Sequence, residues 1–150
     1  MNETDTAAAL AVRAVRRLRA SRGERAAIIG SGPLAELLRT ALEEAGVEVV
    51  EGAVTPEGSP RDDVTLVLET TGDPNVIAGL LERAPRLARV ALMGPTAGRV
   101  ADVDFYRTVH QGGLEVIGLS ETIPAAPEDV ALARELLRRR GDADASGAGR

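Results

Sequence analysis

The stretch Ile28-Ile29-Gly30-Ser31-Gly32-Pro33-Leu34-Ala35 constrains this chain more than any other. A nearly continuous apolar run, Arg25 to Ile29, ends at Gly30-x-Gly32-x-x-Ala35, and a helical apolar pattern starts at once. A strand, two glycines and a helix in that order form the tight turn that lets backbone approach a phosphate. The helix that follows aims free N–H groups and its positive dipole end at the same point. Proline at position 33 suits the first helical turn, although it removes one donor. Glu51 lies 21 residues beyond Gly30, at the end of the next apolar run, where an acidic residue would accept ribose hydroxyls. The plainer alternative is a tight strand-to-helix connection with Glu51 as a solvated loop residue.

The rest of the chain repeats the alternation. Leu10, Ala11, Ala14, Val15 and Leu18 form one stripe of a helix predicted over Thr6 to Ser21. Arg13, Arg16, Arg17 and Arg19 cover its other side, as a solvated face or a basic surface for a partner. After the glycine turn, Leu34, Leu37, Leu38, Ala41 and Leu42 make a second helix ending at Gly46. Strands are predicted at Val47 to Val50, Asp63 to Leu68, Arg89 to Met93 and Leu114 to Leu119. Helices are predicted at Pro74 to Arg83, Asp104 to His110 and Pro127 to Arg140, the last with Val130, Leu132, Ala133, Leu136 and Leu137 inward. Residues 141–150 carry no apolar residues beyond alanine and are expected to be a disordered tail on a domain spanning 1–140. Alternating strands and helices imply an α/β fold with a parallel sheet and right-handed crossovers.

One connection is too short for the full pattern. From Glu51 to Asp63 there are roughly 12 residues, with Gly52, Pro56, Gly58 and Pro60 among them. At ~3.3 Å per residue they span ~40 Å at most, enough to return along a sheet but not to add a strand and its helices. The expected fold is therefore a trimmed Rossmann-like sheet of about five strands, in the order 2-1-4-5-6 of the full fold with strand 3 missing.

Composition narrows the chemistry. The chain has 150 residues, no cysteine, one histidine and 18 basic residues, every one an arginine. Thiolate metal sites, a cysteine nucleophile and lysine Schiff-base chemistry are excluded. A net charge of −5 and only two aromatic residues, Phe105 and Tyr106, speak against nucleic-acid binding. With no 18-residue apolar run and no signal-peptide pattern, a cytoplasmic protein without membrane contact is expected. Asp102, Asp104 and Glu69 make no acid/base pair at a defensible spacing, Glu69 reads as a loop anchor, and His110 reads as structural. No catalytic residue is assigned.

With these segments in place, the chain resembles the cofactor-binding domain of the medium-chain, zinc-type alcohol dehydrogenase/reductase family over residues 7 to 140. The arginine-rich helix with Arg22-Gly23-Glu24-Arg25 resembles the lead-in to that domain, and Gly30-Ser31-Gly32-Pro33-Leu34 its glycine turn. Val67-Leu68-Glu69-Thr70-Thr71-Gly72-Asp73-Pro74 resembles the segment whose loop lies near the nicotinamide. Leu92-Met93-Gly94 resembles the next strand end, and Phe105 to Gly118 the segment leading into the last strand. By this resemblance Gly30, Gly32, Leu34, Glu51, Thr71 and Gly94 would touch NAD or NADP, if binding is retained. The family's zinc-carrying catalytic domain has no counterpart in the sequence, which implies a truncated, stand-alone pseudoenzyme.

Two functions follow from that picture. One is a non-catalytic accessory or recognition protein, binding a pathway enzyme or a peptide substrate, as in peptide-modifying natural-product biosynthesis. The other is an NAD(P)-binding subunit or redox sensor that works with a separate catalytic dehydrogenase subunit. The resemblance also implies a homodimer through strand residues 114–119.

Overall fold

The computed structural model describes residues 2–51, 62–95, 98–100 and 102–147. Five parallel strands, β1 (Arg25–Ile29), β2 (Glu48–Val49), β3 (Leu66–Glu69), β4 (Arg89–Leu92) and β5 (Glu115–Gly118), lie in the order β2-β1-β3-β4-β5. That is the expected 2-1-4-5-6 order, with no counterpart of strand 3 among the described residues. Residues 52–61, between β2 and β3, lie outside those described. β2 pairs with β1 through only Arg25↔Glu48 and Ala26↔Val49, whereas β1 and β3 run in register from Ala26↔Leu66 to Ile29↔Glu69.

Helices cover both faces, and the period-2 alternation of the strands decides what each face buries. Ala26, Leu66, Leu68, Ala91 and Met93 point toward α1 (Glu3–Arg17), α2 (Pro33–Glu44) and α4 (Pro127–Gly147). Ala27, Val67 and Val90 point the other way, against Ile77, Leu80 and Leu81 of α3 (Pro74–Arg83). Leu37, Leu38 and Leu42 of α2 are fully buried, and each such side chain stabilises the fold by ~1.5–3 kcal/mol relative to an exposed one.

Several boundaries differ from the sequence expectation, for local reasons. The first helix starts at Glu3 rather than Thr6, because the Asn2 side chain accepts the N–H of Asp5 at 2.8 Å and caps it. It ends at Arg17 because Arg19 adopts φ +53°, a conformation no helix continues through. β3 begins at Leu66, not Asp63: Thr65 hydrogen-bonds back to Arg25 and the residues before it turn. The short helix before β5 is a π-helical turn, Tyr106–Gln111. α4 continues to Gly147, past Arg140, where a disordered tail was expected to begin. Arg138 bridges Glu135 and Asp142 one turn to either side, and Ser146 bonds back to the Asp142 carbonyl, so a polar segment extends the helix. Residues 148–150 lie outside the described region.

Two face assignments also change, one inward and one outward. Leu132 is exposed at the mouth of an apolar groove between α1, α2 and α4. Arg13, expected on a solvated face, is only 7% exposed.

Candidate functional site

The carboxyl ends of β1, β3, β4 and β5 line up along one side of the sheet, and sequential order reverses between β1 and β3. Ligands of open parallel sheets bind in the crevice outside that reversal. The glycine turn stands there. Gly30 and Gly32 both have φ +111°, a region closed to side-chain-bearing residues at ordinary cost. Gly32 is the N-cap of α2 and brings no side chain to the cap. Beyond it the first turn holds Pro33, Leu34 and Ala35, and the first intrahelical bond is from the Glu36 N–H to the Gly32 carbonyl at 3.0 Å. The N–H groups of Leu34 and Ala35 have no helical carbonyl to reach and face the anion position.

The two glycines differ in what surrounds them. A Cβ on Gly32 would meet nothing within 4 Å. A Cβ on Gly30 would stand 2.1 Å from Thr70 Oγ1, which donates to the Ile29 carbonyl at 2.7 Å. Space at Gly30 is thus filled by the chain's own loop, and space at Gly32 is open. The open side of the turn is therefore at Gly32 and the start of α2, not between Gly30 and Thr70.

The loop after β3 is built around a buried carboxylate. Glu69 is 0% exposed and accepts the Thr71 N–H at 2.7 Å, the Thr71 hydroxyl, and the Gly72 N–H at 3.1 and 3.2 Å. These bonds close the loop onto its own strand end, the anchoring role read from the sequence. Thr71 itself is exposed at the crevice with its hydroxyl turned back to Glu69. Gly72 and Gly94 let this loop and the end of β4 touch backbone to backbone. A Cβ on Gly94 would lie 2.3 Å from the Gly72 nitrogen, and one on Gly72 would lie 2.2 Å from the Pro95 carbonyl oxygen. Gly94 therefore has a packing reason to be glycine that needs no ligand.

Leu34 is half-buried against the α1/α2/α4 core. Glu51 is exposed just beyond β2 and pairs with Arg39 of α2 at 2.8 Å. A ribose at that place would share the carboxylate with Arg39. The crevice brings Gly30, Gly32, Thr71 and Gly94 into one row of strand ends, with Leu34 on the adjoining helix and Glu51 at the β2 end. On the β4/β5 side it opens into a cleft of about 340 Å³ between Met93, Gly94 and Pro95 and the segment Ser120–Ile123. That segment was not singled out in the sequence. It carries only a Ser-Glu-Thr run after β5, which reads as an ordinary loop.

His110 sits on the π-helical turn, exposed, its ring 4.3 Å from that of Tyr106. It lies away from the strand ends, and Asp104 accepts the Arg107 N–H at 3.0 Å. No group of three or more His, Asp and Glu side chains among the described residues is arranged to hold a metal ion. No helix among them is long and apolar enough to cross a membrane.

No protein-family model matches the sequence, and no curated protein does either. Solved structures do match. Galactitol-1-phosphate dehydrogenase from Escherichia coli superposes with a TM-score of 0.71 at 18% identity, over 91% of this chain and 48% of that one. The fold is a Rossmann-like dehydrogenase fold. An alcohol dehydrogenase zinc-binding domain protein from Burkholderia ambifaria matches with a TM-score of 0.67 at 17% identity, over 89% of this chain and 44% of that one. The yhdH oxidoreductase from Salmonella enterica, solved in complex with NADP, gives 0.65 at 17% identity, over 89% and 49%. The chain spans less than half the length of each. The similarity to zinc-type alcohol dehydrogenases implied by the sequence segments is thus present in three dimensions, at the level of fold.

Proposed function

We propose that this chain is a non-catalytic accessory module whose dehydrogenase-type crevice takes NAD or NADP, and that the chemistry is done by a separate catalytic partner. The observation that carries the reading is the open glycine turn. Gly32 caps α2 without a side chain, with nothing within 4 Å of the position a Cβ would take. Its φ of +111° already asks for glycine, and the open space beside it, which Gly30 lacks, leaves the backbone accessible to an anion. Gly32, Leu34 and Ala35 would hold the pyrophosphate through backbone N–H groups, Glu51 would take ribose hydroxyls beside Arg39, and the cleft at Gly94 would receive the distal half. A bound nicotinamide would supply hydride chemistry. The residues of this chain position it and offer no metal-ligand cluster or acid/base pair of their own among those described. The Salmonella oxidoreductase of like fold carries NADP, which supports the cofactor class.

Calorimetric titration with NADH and NADPH tests the reading. Micromolar binding of either, abolished by Gly32→Asp, is the expected result. No binding at millimolar concentration of either cofactor refutes it.

A second reading, recognition of a pathway enzyme or peptide, is favoured by one feature. β5 is an edge strand, and both aromatic residues of the chain, Phe105 and Tyr106, are exposed on the turn that leads into it. An extended segment could add to that edge. A second copy of the chain pairing through residues 114–119 would cover it equally well. A monomer in light scattering at high concentration would rule out the homodimer.

A further inference from the structure

The basic helix α1 reaches the cofactor crevice through one buried side chain. Arg13 is 7% exposed, and its guanidinium has three partners, two in the loop after β5 and one in α4. Nη1 donates to the Ile123 carbonyl at 3.2 Å and Nη2 to the Pro124 carbonyl at 2.5 Å, while Nε meets Asp129 Oδ2 at 3.4 Å. Asp129, at 0% exposure in the first turn of α4, is also bound by Arg16 at 2.9 and 3.2 Å. The helix packing alone does not ask for this, because the apolar stripe of α1 already docks it. A charged group buried to hold two loop carbonyls is costly unless it is paired and hydrogen-bonded, and here each of the three guanidinium nitrogens has an acceptor.

The segment it holds is the far wall of the crevice. Glu121 and Ile123 face the 340 Å³ cleft at the ends of β4 and β5, and on their other side they line a second, smaller space of about 120 Å³ beside Thr6, Leu10 and Arg13. Open volume therefore lies on both sides of a thin strip of chain. Local bonds join Thr122 and Ile123 to Ser120 and Ala125 packs against the core, while the two hydrogen bonds from Arg13 tie Ile123 and Pro124 to the N-terminal helix. Ile123 is 60% exposed, so little apolar burial opposes a shift.

We propose that Arg13 is a positioning residue for the cofactor crevice: from the N-terminal helix it sets the wall against which the half of the dinucleotide remote from the glycine turn is held. This rests on the proposed NAD(P) site. Arg13 touches no ligand in this arrangement and acts through Ile123 and Pro124.

The test compares two ligands and one measurement without ligand. NADH and NADPH reach the β4/β5 cleft, whereas ADP-ribose carries the pyrophosphate but no nicotinamide ring. In Arg13→Lys, which keeps a charge beside Asp129 but loses the planar fork, the preferred dinucleotide should bind about tenfold more weakly, as the loss of a charge-assisted hydrogen bond implies, with ADP-ribose changed less than about twofold. Arg13→Gln serves as the second variant if the lysine form does not fold. Equal weakening of both ligands, or no change in the dinucleotide, overturns the proposal. Hydrogen exchange on the unliganded proteins decides independently. Amides of residues 120–125 should exchange faster in the variant while those of α2 do not, and unchanged or uniformly raised exchange overturns it. If neither dinucleotide binds the wild type, the cofactor reading falls and exchange alone judges Arg13.

Discussion

Gly30 and Gly32 look equivalent in the sequence, share φ +111°, and should nevertheless respond differently to alanine. Both substitutions force a side chain into backbone that favours glycine, a strain of ~1–3 kcal/mol. At Gly32 nothing more is added, because the new methyl meets open space. At Gly30 the methyl would sit 2.1 Å from Thr70 Oγ1 and 3.2 Å from Thr71 Cγ2. The Thr70 hydroxyl must leave, breaking its 2.7 Å bond to the Ile29 carbonyl, worth ~0.5–1.5 kcal/mol. Gly30→Ala should therefore cost ~2–4 kcal/mol, about 1 kcal/mol more than Gly32→Ala. Most of the excess should vanish in a Thr70→Ala background, where the Thr70 Cβ stands 3.5 Å away in ordinary contact and only Thr71 Cγ2, at 3.2 Å, must give. Urea denaturation followed by far-UV circular dichroism gives the four free energies, and the double-mutant cycle gives the coupling. If both alanines cost the same, or if Gly30→Ala costs as much without the Thr70 hydroxyl, then Thr70 does not fill the turn and the separation of the two glycines fails.

Three further outcomes are expected. Asp129→Ala leaves the buried Arg13 guanidinium without its carboxylate and should destabilise the fold by ~3–5 kcal/mol, read as a lower urea midpoint at unchanged slope; a loss under 1 kcal/mol would mean the pair is not buried as described. Burial pushes the Asp129 carboxyl up, but hydrogen bonds from Arg16 and Arg13 outweigh it and hold it below its ordinary value. For Glu24, burial is likewise outweighed, by the Ser21 N–H and by Arg89. Folded values below unfolded ones of ~3.9–4.3 mean the contribution is complete above about pH 5 and is lost as pH falls through the depressed values; flat stability from pH 5 to 2.5 would contradict this. Glu69→Ala should free the Thr71 and Gly72 N–H groups and raise hydrogen exchange across residues 70–73, and unchanged exchange there would remove the carboxylate from its anchoring role.

Much of the fold was legible in the sequence because it is written in local patterns. β1 and α3 begin and end where apolar period and proline place them, and the short Glu51–Asp63 spacing predicted the lost strand. Boundaries set by a single side chain were less legible, such as the Asn2 cap and the Arg19 turn. Arg13 misled most: at helical spacing beside Arg16 and Arg17 it reads as surface, and only a carboxylate 116 residues away explains its burial. Leu132 failed in the opposite sense, since periodicity says which face it lies on but not whether another helix covers that face.

The sequence by itself determined the element order, the parallel sheet and the place of the glycine turn, because backbone sterics and apolar period act over a few residues. Tertiary structure alone decided which glycine is free. Thr70 comes to Gly30 across a strand pair, Gly94 meets Gly72 across two loops, and Arg13 meets Ile123 across the domain. Each of these contacts joins residues far apart in the chain, and no local pattern carries information about them.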